Sequence, residues 1–192
     1  LVMKEIEKDI LFYDESNGGV TFSGGEPLMQ VHFLNSLLER CKEKDIHTAV
    51  DISGYAPFEY IDGIRDTVGL FLYDLKTMND EKHKEYTGVS NERILENLKE
   101  LSKKGDSITI RIPIIPGIND SDGDIHEFAQ FILSLNGRNE ISLLPYHQAA
   151  RAKYKRLGEP DRMPWISQPS DSKLEKTRIT LERLGLDVKI GG

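Results

Sequence analysis

The stretch "GVTFSGGEPLMQ", residues 19–30, decides the fold assignment, because a short apolar run leads through two glycines and a glutamate into a proline. The apolar run predicts a β-strand, and Leu28 begins an amphipathic helical stripe that reaches Cys41. Glycine allows backbone angles that other residues avoid, and Pro27 suits the first turn of a helix. We therefore predict a strand, a glycine turn and a helix, with Glu26 at the carboxyl end of the strand.

The alternation of strand and helix repeats along the whole chain. Further strand-like runs occupy residues 47–53, 69–75, 107–115, 140–147 and 186–190, with amphipathic stretches between them and a helix predicted over 2–13. Such alternation predicts parallel βαβ units, and the nearly continuous apolar runs fit strands that are buried on both faces. We predict an α/β fold of parallel strands in a single domain over residues 1–192. Ser121-x-x-Asp124 predicts a capped helix start.

Composition limits the classes of partner. The 192 residues carry a formal net charge of −7, which argues against a general nucleic-acid or anionic-membrane binder. No apolar run approaches the length of a transmembrane helix. Cys41 is the single cysteine, so the chain cannot form an internal disulfide and fits a reducing cytoplasm. We expect a cytoplasmic protein without membrane or nucleic-acid partners.

One segment interrupts the alternation. Residues 148–170 contain three prolines and the only tryptophan, and they are too many for an ordinary connection between a helix and a strand. We predict a functional loop here, with a merely ornamental surface excursion as the alternative.

Ionisable side chains occur at or just after the predicted strand ends. They are Glu26, Asp51, Asp74, Lys76, Arg111 and His147. In α/β folds the ligand site lies at the carboxyl ends of the strands, and a charge there is costly unless it is paired or used. Singly, each has a structural explanation as a loop cap, an ion pair or a solvated side chain. Together they predict one polar pocket for a charged small molecule.

The quoted stretch resembles the glycine-glycine-glutamate motif of radical S-adenosylmethionine (radical SAM) enzymes. More narrowly, the chain resembles the activating enzymes of glycyl radical enzymes, with those of the pyruvate formate-lyase type as the best match. Four further segments carry this resemblance in order and spacing: "CKEKDIHTAVDISGY" (41–55), "LFLYDLKTMNDEKHKEYTGVSNERILENL" (70–98), "IRIPIIPGINDSD" (110–122) and "ISLLPYHQAARAKYKRLG" (141–158).

The resemblance implies a partial (β/α)6, TIM-like barrel that uses S-adenosylmethionine and a [4Fe–4S] cluster. In that family the cofactor yields a 5′-deoxyadenosyl radical, which takes a hydrogen atom from a glycine of a partner enzyme. The implied partners are a glycyl radical enzyme, by default pyruvate formate-lyase, and a flavodoxin- or ferredoxin-type reductant. A dehydratase or decarboxylase as the glycyl radical enzyme stays open.

The resemblance also implies roles for individual residues. The turn of Ser23, Gly24, Gly25 and Glu26 should hold the methionyl ammonium of the cofactor. Lys76, Arg111 and His147 should contact its carboxylate or ribose. Asp51 and Asp74 match the carboxylates of a monovalent-cation site, in which Ile52 here replaces a polar residue.

One departure from the family is large. The family binds its cluster through three cysteines spaced C-x-x-x-C-x-x-C, whereas this chain has only Cys41, on a predicted helix. A thiolate-bound cluster cannot form without thiolates. We expect the first strand and the cluster loop to precede Leu1, so that this C-terminal part holds no catalytic residue and is inactive alone.

Two other functions are compatible with the sequence. Lys76 at a strand end could form a Schiff base in a lyase, which borohydride trapping with a carbonyl substrate would detect. Alternatively, the chain could be a cluster-less relative that only binds a partner protein. The residues encoded before Leu1 separate this second alternative from the activating enzyme.

Overall fold

The computed structural model describes residues 1–137, 139–146 and 166–191, and within them it contains all six predicted strands. They are β1 (Gly19–Phe22), β2 (His47–Ile52), β3 (Leu70–Asp74), β4 (Ile108–Ile114), β5 (Glu140–Pro145) and β6 (Asp187–Ile190). The strands form one sheet in the order β1-β2-β3-β4-β5-β6, with parallel pairing of β1 to β2, β2 to β3 and β5 to β6. The predicted α/β class with parallel strands is confirmed.

Eight α-helices lie in the described part of the chain. They are α1 (Val2–Ile6), α2 (Ile10–Ser16), α3 (Val31–Lys42), α4 (Phe58–Asp62), α5 (Asp80–Thr87), α6 (Glu92–Lys103), α7 (Asp122–Leu133) and α8 (Asp171–Arg183). Short 3-10 helices occupy Glu7–Asp9, Pro27–Gln30 and Arg65–Thr67. No described helix combines the length and the apolar character that crossing a membrane requires.

The predicted helix over residues 2–13 differs from the structure. It is divided into α1 and α2 by the 3-10 helix Glu7–Asp9, and Asp9 leaves the helical region with φ −100° and ψ 5°. The apolar periodicity continues through this break, so periodicity alone could not locate it. The predicted start at Ser121 is confirmed, since Ser121 and Asp124 form a reciprocal capping box for α7.

The residues group into two compact units. The first contains Leu1–Asp74, Glu92–Thr109 and Leu135–Gly137, and the second contains Leu75–Asn91, Ile110–Ser134 and the described part of Arg138–Gly192. The first unit holds β1, β2 and β3, and the second holds β5 and β6. The single domain over residues 1–192 stays a prediction.

The core of the first unit explains the amphipathic helices at the start of the chain. The buried side chains of Met3, Ile6, Leu37, Cys41 and Ile46 form one apolar cluster, against which partly buried residues of α2 and β1 pack. Removal of this apolar surface from water stabilises the packing of α1, α2 and α3 with β1. Cys41 is completely buried there, as its place on the apolar stripe predicted.

The second unit is built around apolar side chains of β4, β5, α7 and α8. Ile110, Ile112, Phe128, Leu143 and Leu181 are completely buried. Helix α8 packs against α7 and β6, and Ser170 caps its start by accepting a hydrogen bond from the Lys173 amide at 3.2 Å. Because this core fixes the strands, their carboxyl ends are rigid places for functional side chains.

Candidate functional site

In the first unit, the site is built around the turn that follows β1. Gly24 has φ +134°, a region that L side chains rarely adopt, which explains the glycine at this position. Ser23, Gly24 and Gly25 are exposed. A Cβ atom added at either glycine would have no atom of the described residues within 4 Å. The backbone of the turn therefore faces open space that a ligand can approach closely.

Two hydroxyl–carboxylate hydrogen bonds connect this turn to the end of β2. Ser23 Oγ donates to Asp51 Oδ2 at 3.0 Å. In the opposite direction, the amide and the hydroxyl of Ser53 donate to Glu26 Oε2 at 2.9 Å and 2.5 Å. The other carboxylate oxygen, Oε1, accepts from the amide of Leu28 at 3.3 Å. Glu26 is therefore a structural anchor of its own turn as well as a candidate ligand group.

The register of the sheet places Asp51 and Asp74 on one face. Asp51 lies opposite Leu72, and Asp74 is two residues further along β3. Because side chains alternate along a strand, Leu72 and Asp74 lie on the same face as Asp51. Both aspartates are half-buried. Their role as a monovalent-cation site stays a prediction.

Helix α6 supports the loop after β2. Asn97 is 5% exposed and donates to the carbonyls of Gly54 and Ala56, each at 2.8 Å. Gly54 has φ +75°, and an added Cβ would lie 1.8 Å from the hydroxyl oxygen of Tyr73. That hydroxyl donates to the carbonyl of Ile94 on α6 at 2.7 Å. Burial, and then the charge of Glu26, raise the pKa of Tyr73, so its hydroxyl remains a donor.

The second unit contains Lys76 and Arg111, both half-buried. Arg111 is the fourth of the seven residues of β4, so it lies mid-strand and not near the carboxyl end, contrary to the prediction. Its carbonyl accepts a hydrogen bond from the Leu75 amide at 2.9 Å, which sets Lys76 just beyond that pairing. The roles of both side chains in cofactor binding stay predictions.

Asn119 fixes the backbone around Lys76. Its side chain is completely buried and donates to the carbonyls of Lys76 and Pro113, both at 2.7 Å, while its oxygen accepts from the amide of Ile115 at 2.8 Å. One side chain thus satisfies three backbone groups at the ends of β3 and β4.

The remaining predicted site residue, His147, lies outside the described residues. The same holds for most of the predicted functional loop 148–170, of which only 166–170 are described. Among residues 166–170, Ile166 is buried and Ser170 caps α8.

Sequence reasoning missed Ser53, Asn97 and Asn119. A signal existed for Asn97, because it interrupts the apolar stripe of Ile94, Leu98 and Leu101 with an amide at core spacing. Ser53 and Asn119 lie in loops, where the sequence pattern does not show which backbone groups a side chain reaches.

The sequence model of the radical SAM superfamily matches residues 1–129, which is about two thirds of the chain. The chain belongs to the radical SAM superfamily.

Relatives of this radical SAM chain are activating enzymes. It is 41% identical over 194 residues to the trans-4-hydroxy-L-proline dehydratase activating enzyme of Clostridioides difficile, covering 100% of this chain and 64% of that protein. It is 36% identical over 188 residues to the pyruvate formate-lyase 1-activating enzyme of Escherichia coli K12, covering 96% of this chain and 76% of that protein. The resemblance to activating enzymes of glycyl radical enzymes is confirmed.

A solved structure gives the same result for the fold. A crystallised domain of the pyruvate formate-lyase-activating enzyme from Bacteroides vulgatus superposes with a TM-score of 0.78 at 35% identity. The match covers 91% of this chain and 99% of that domain. A partial TIM-like barrel, the architecture that the resemblance implied, is consistent with the six parallel strands.

The two radical SAM cofactors fit this chain differently. The open backbone at Gly24 and Gly25, next to the Glu26 carboxylate, suits the approach of a ligand ammonium. In contrast, the described residues hold no group of three or more His, Cys, Asp or Glu side chains that could bind a metal ion. Cys41 is buried in the apolar core, where burial raises the pKa of its thiol. The described residues therefore offer no site that fits a [4Fe–4S] cluster, and the sequence contains a single cysteine.

Proposed function

We propose that the protein containing this chain is an activating enzyme that installs a glycyl radical on a partner enzyme. It would use S-adenosylmethionine and a [4Fe–4S] cluster to generate a 5′-deoxyadenosyl radical. The observation that carries the proposal is the anchored Ser23–Glu26 turn, open to a ligand, in a chain whose relatives are named as activating enzymes. We place this function in the cytoplasm, with a flavodoxin- or ferredoxin-type protein as reductant.

In this proposal the chain binds and orients the cofactor. Glu26 accepts hydrogen bonds from the methionyl ammonium, and the backbone at Gly24 and Gly25 allows the cofactor to lie against the turn. For Lys76, Arg111 and His147 we keep the roles that the family resemblance implies, as contacts to the carboxylate or the ribose of S-adenosylmethionine. Asp51 and Asp74 hold a monovalent cation. The adenosyl radical chemistry is that of the cofactor, and the protein supplies position and charge.

We also propose that the ligands of the cluster lie outside residues 1–192, in the same protein. Cysteine thiolates hold clusters of this type, and the chain has one cysteine, buried in a helix. The chain spans 64% and 76% of the two relatives' lengths, which is compatible with a longer protein. On this account residues 1–192 form part of one catalytic domain and are inactive alone.

The partner enzyme is a glycyl radical enzyme of the dehydratase or the pyruvate formate-lyase type, the two types named by these relatives. Incubation of the reduced protein with each enzyme, followed by electron paramagnetic resonance, identifies the one on which a glycyl radical appears. A signal on neither would contradict this assignment.

Substitution of Glu26 by alanine tests the cofactor site. In the longer protein under anaerobic conditions, Glu26→Ala removes a charged acceptor and should raise the Kd for S-adenosylmethionine by about tenfold or more. Iron content should not change. The matched control is Glu39→Ala. Glu39 is exposed on α3, and its side chain accepts a hydrogen bond from Asn35 on the same helix. Unchanged affinity in Glu26→Ala would contradict the proposed function.

A further inference from the structure

Protein donors already occupy most of the hydrogen-bond acceptor sites of the Glu26 carboxylate before a ligand binds. A carboxylate offers about four lone-pair sites. Three donors occupy this one: the Leu28 amide on Oε1, and the amide and hydroxyl of Ser53 on Oε2. Such contacts fix the rotation and the tilt of the carboxylate before any ligand arrives. The remaining acceptor direction is thus set by Ser53 as much as by Glu26 itself.

Ser53 is in turn held by the elements beneath it. The next residue, Gly54, rests against the ring of Tyr73, and its carbonyl accepts from Asn97. Asn97 also holds Ala56, and Tyr73 is bonded to α6 through Ile94. All these residues lie in the first unit. These contacts restrain the loop after β2. The position of Ser53 therefore depends on buried side chains of α6 and β3.

Two serines join the turn to the end of β2, and the contact made by Ser53 is less exposed to water than the one made by Ser23. Ser23 is exposed, and its hydroxyl donates at 3.0 Å to Asp51. Ser53 is half-buried, and it supplies two donors to one oxygen, at 2.9 Å and 2.5 Å. Hydrogen bonds to a charged acceptor are stronger than neutral ones, and more so where water is partly excluded.

We propose that Ser53 is a positioning residue for the cofactor: its hydroxyl orients the Glu26 carboxylate toward the amino group of the bound S-adenosylmethionine. This inference rests on the proposed function. Ser53 does not itself touch the cofactor in this account. It acts by preorganisation, which lowers the ordering cost when the ligand binds.

The test is a double-mutant cycle on S-adenosylmethionine affinity, measured by calorimetry on the longer protein under anaerobic conditions. Ser53→Ala keeps the amide donor and removes the hydroxyl, and it should raise the Kd by about tenfold. Ser53→Thr keeps a hydroxyl and should recover most of that loss. In a Glu26→Ala background, Ser53→Ala should have no further effect, because the group through which it acts is gone.

A matched control and a ligand-free measurement separate positioning from folding. Ser36→Ala removes a hydroxyl that donates to a helix carbonyl at the exposed surface of α3, and its Kd should stay within about twofold of the unsubstituted protein. Without ligand, hydrogen exchange at residues 24–28 should accelerate in Ser53→Ala, while the thermal midpoint changes little.

The outcomes are distinguishable. If the unsubstituted protein does not bind S-adenosylmethionine, the proposed function and this inference both fail. If it binds and Ser53→Ala binds equally well, only the inference fails. An equal loss from Ser53→Ala with and without Glu26 would also overturn the inference, since Ser53 would then act independently of the carboxylate.

Discussion

At the scale of single residues, Gly54 is required for two separable reasons. Its φ of +75° disfavours any side chain, and a Cβ would overlap the Tyr73 hydroxyl at 1.8 Å. Gly88, which ends α5 with φ +85°, has the same backbone preference but no described atom within 4 Å of an added Cβ. Comparison of alanine substitutions at these two glycines therefore separates the energetic cost of steric overlap from that of backbone strain.

We predict that Gly54→Ala lowers the free energy of unfolding by about 3 kcal/mol or more, because strain and overlap add. Gly88→Ala should lower it by about 1 kcal/mol, from backbone strain alone. Urea denaturation followed by circular dichroism measures both. Equal losses would show that the packing of Gly54 on Tyr73 is not as described.

Cys41 illustrates how burial decides the chemistry of a residue. Burial raises the pKa of its thiol, so the native thiol stays neutral and inaccessible. The unfolded chain ionises first as the pH rises, so the contribution of this thiol to stability is complete below the unfolded pKa of about 8.5 and is lost at higher pH.

We predict that an aromatic disulfide reagent at pH 8 modifies Cys41 at least about a hundredfold more slowly in the native protein than in denaturant. The colour released on reaction gives both rates directly. Rapid modification of the native protein would contradict the apolar core around α3.

At the scale of elements, Asn119 connects the ends of β3 and β4. We predict that Asn119→Ala lowers the free energy of unfolding by about 3 kcal/mol, because it leaves the Ile115 amide and two carbonyls without this partner. Asn35→Ala removes only a solvent-exposed hydrogen bond to Glu39 on α3 and should change it by less than about 0.5 kcal/mol. Similar values for both variants in urea titrations would refute the bridging role.

The elements also show what the sequence could predict. Apolar runs between turn residues located all six strands. The signal is clearest in β2 and β4, most of whose residues are buried, and weakest in β6, where only Val188 is buried. Helix α5 had no such signal, since His83 is its only buried residue. It forms instead from local capping by Asn79 and Gly88.

For a similar reason, the sequence pointed to the charged residues of the candidate site but not to the polar residues that support them. Glu26, Asp51 and Asp74 could be selected as candidates because a charge at the end of an apolar strand is unusual. The contacts of Ser53 with Glu26, and of Asn97 with the carbonyls of Gly54 and Ala56, depend on distances between elements far apart in sequence. No local pattern encodes those distances.

At the scale of the whole molecule, we propose that S-adenosylmethionine binds to this chain and that the cluster ligands lie outside it. The described residues form the sheet and the anchored turn, and our proposal assigns the binding of S-adenosylmethionine to that turn. The single cysteine in the chain excludes a three-thiolate cluster site within it. The chain belongs to the radical SAM superfamily. We therefore propose that the ligands of the cluster come from outside residues 1–192.

The most direct test is the release of 5′-deoxyadenosine from S-adenosylmethionine by two samples, the 192-residue chain and the longer protein. Both are supplied with iron and sulfide and reduced anaerobically. We predict release by the longer protein and none by the 192-residue chain. Release by the short chain would contradict the account, and so would a longer protein that is folded and iron-loaded but releases no 5′-deoxyadenosine.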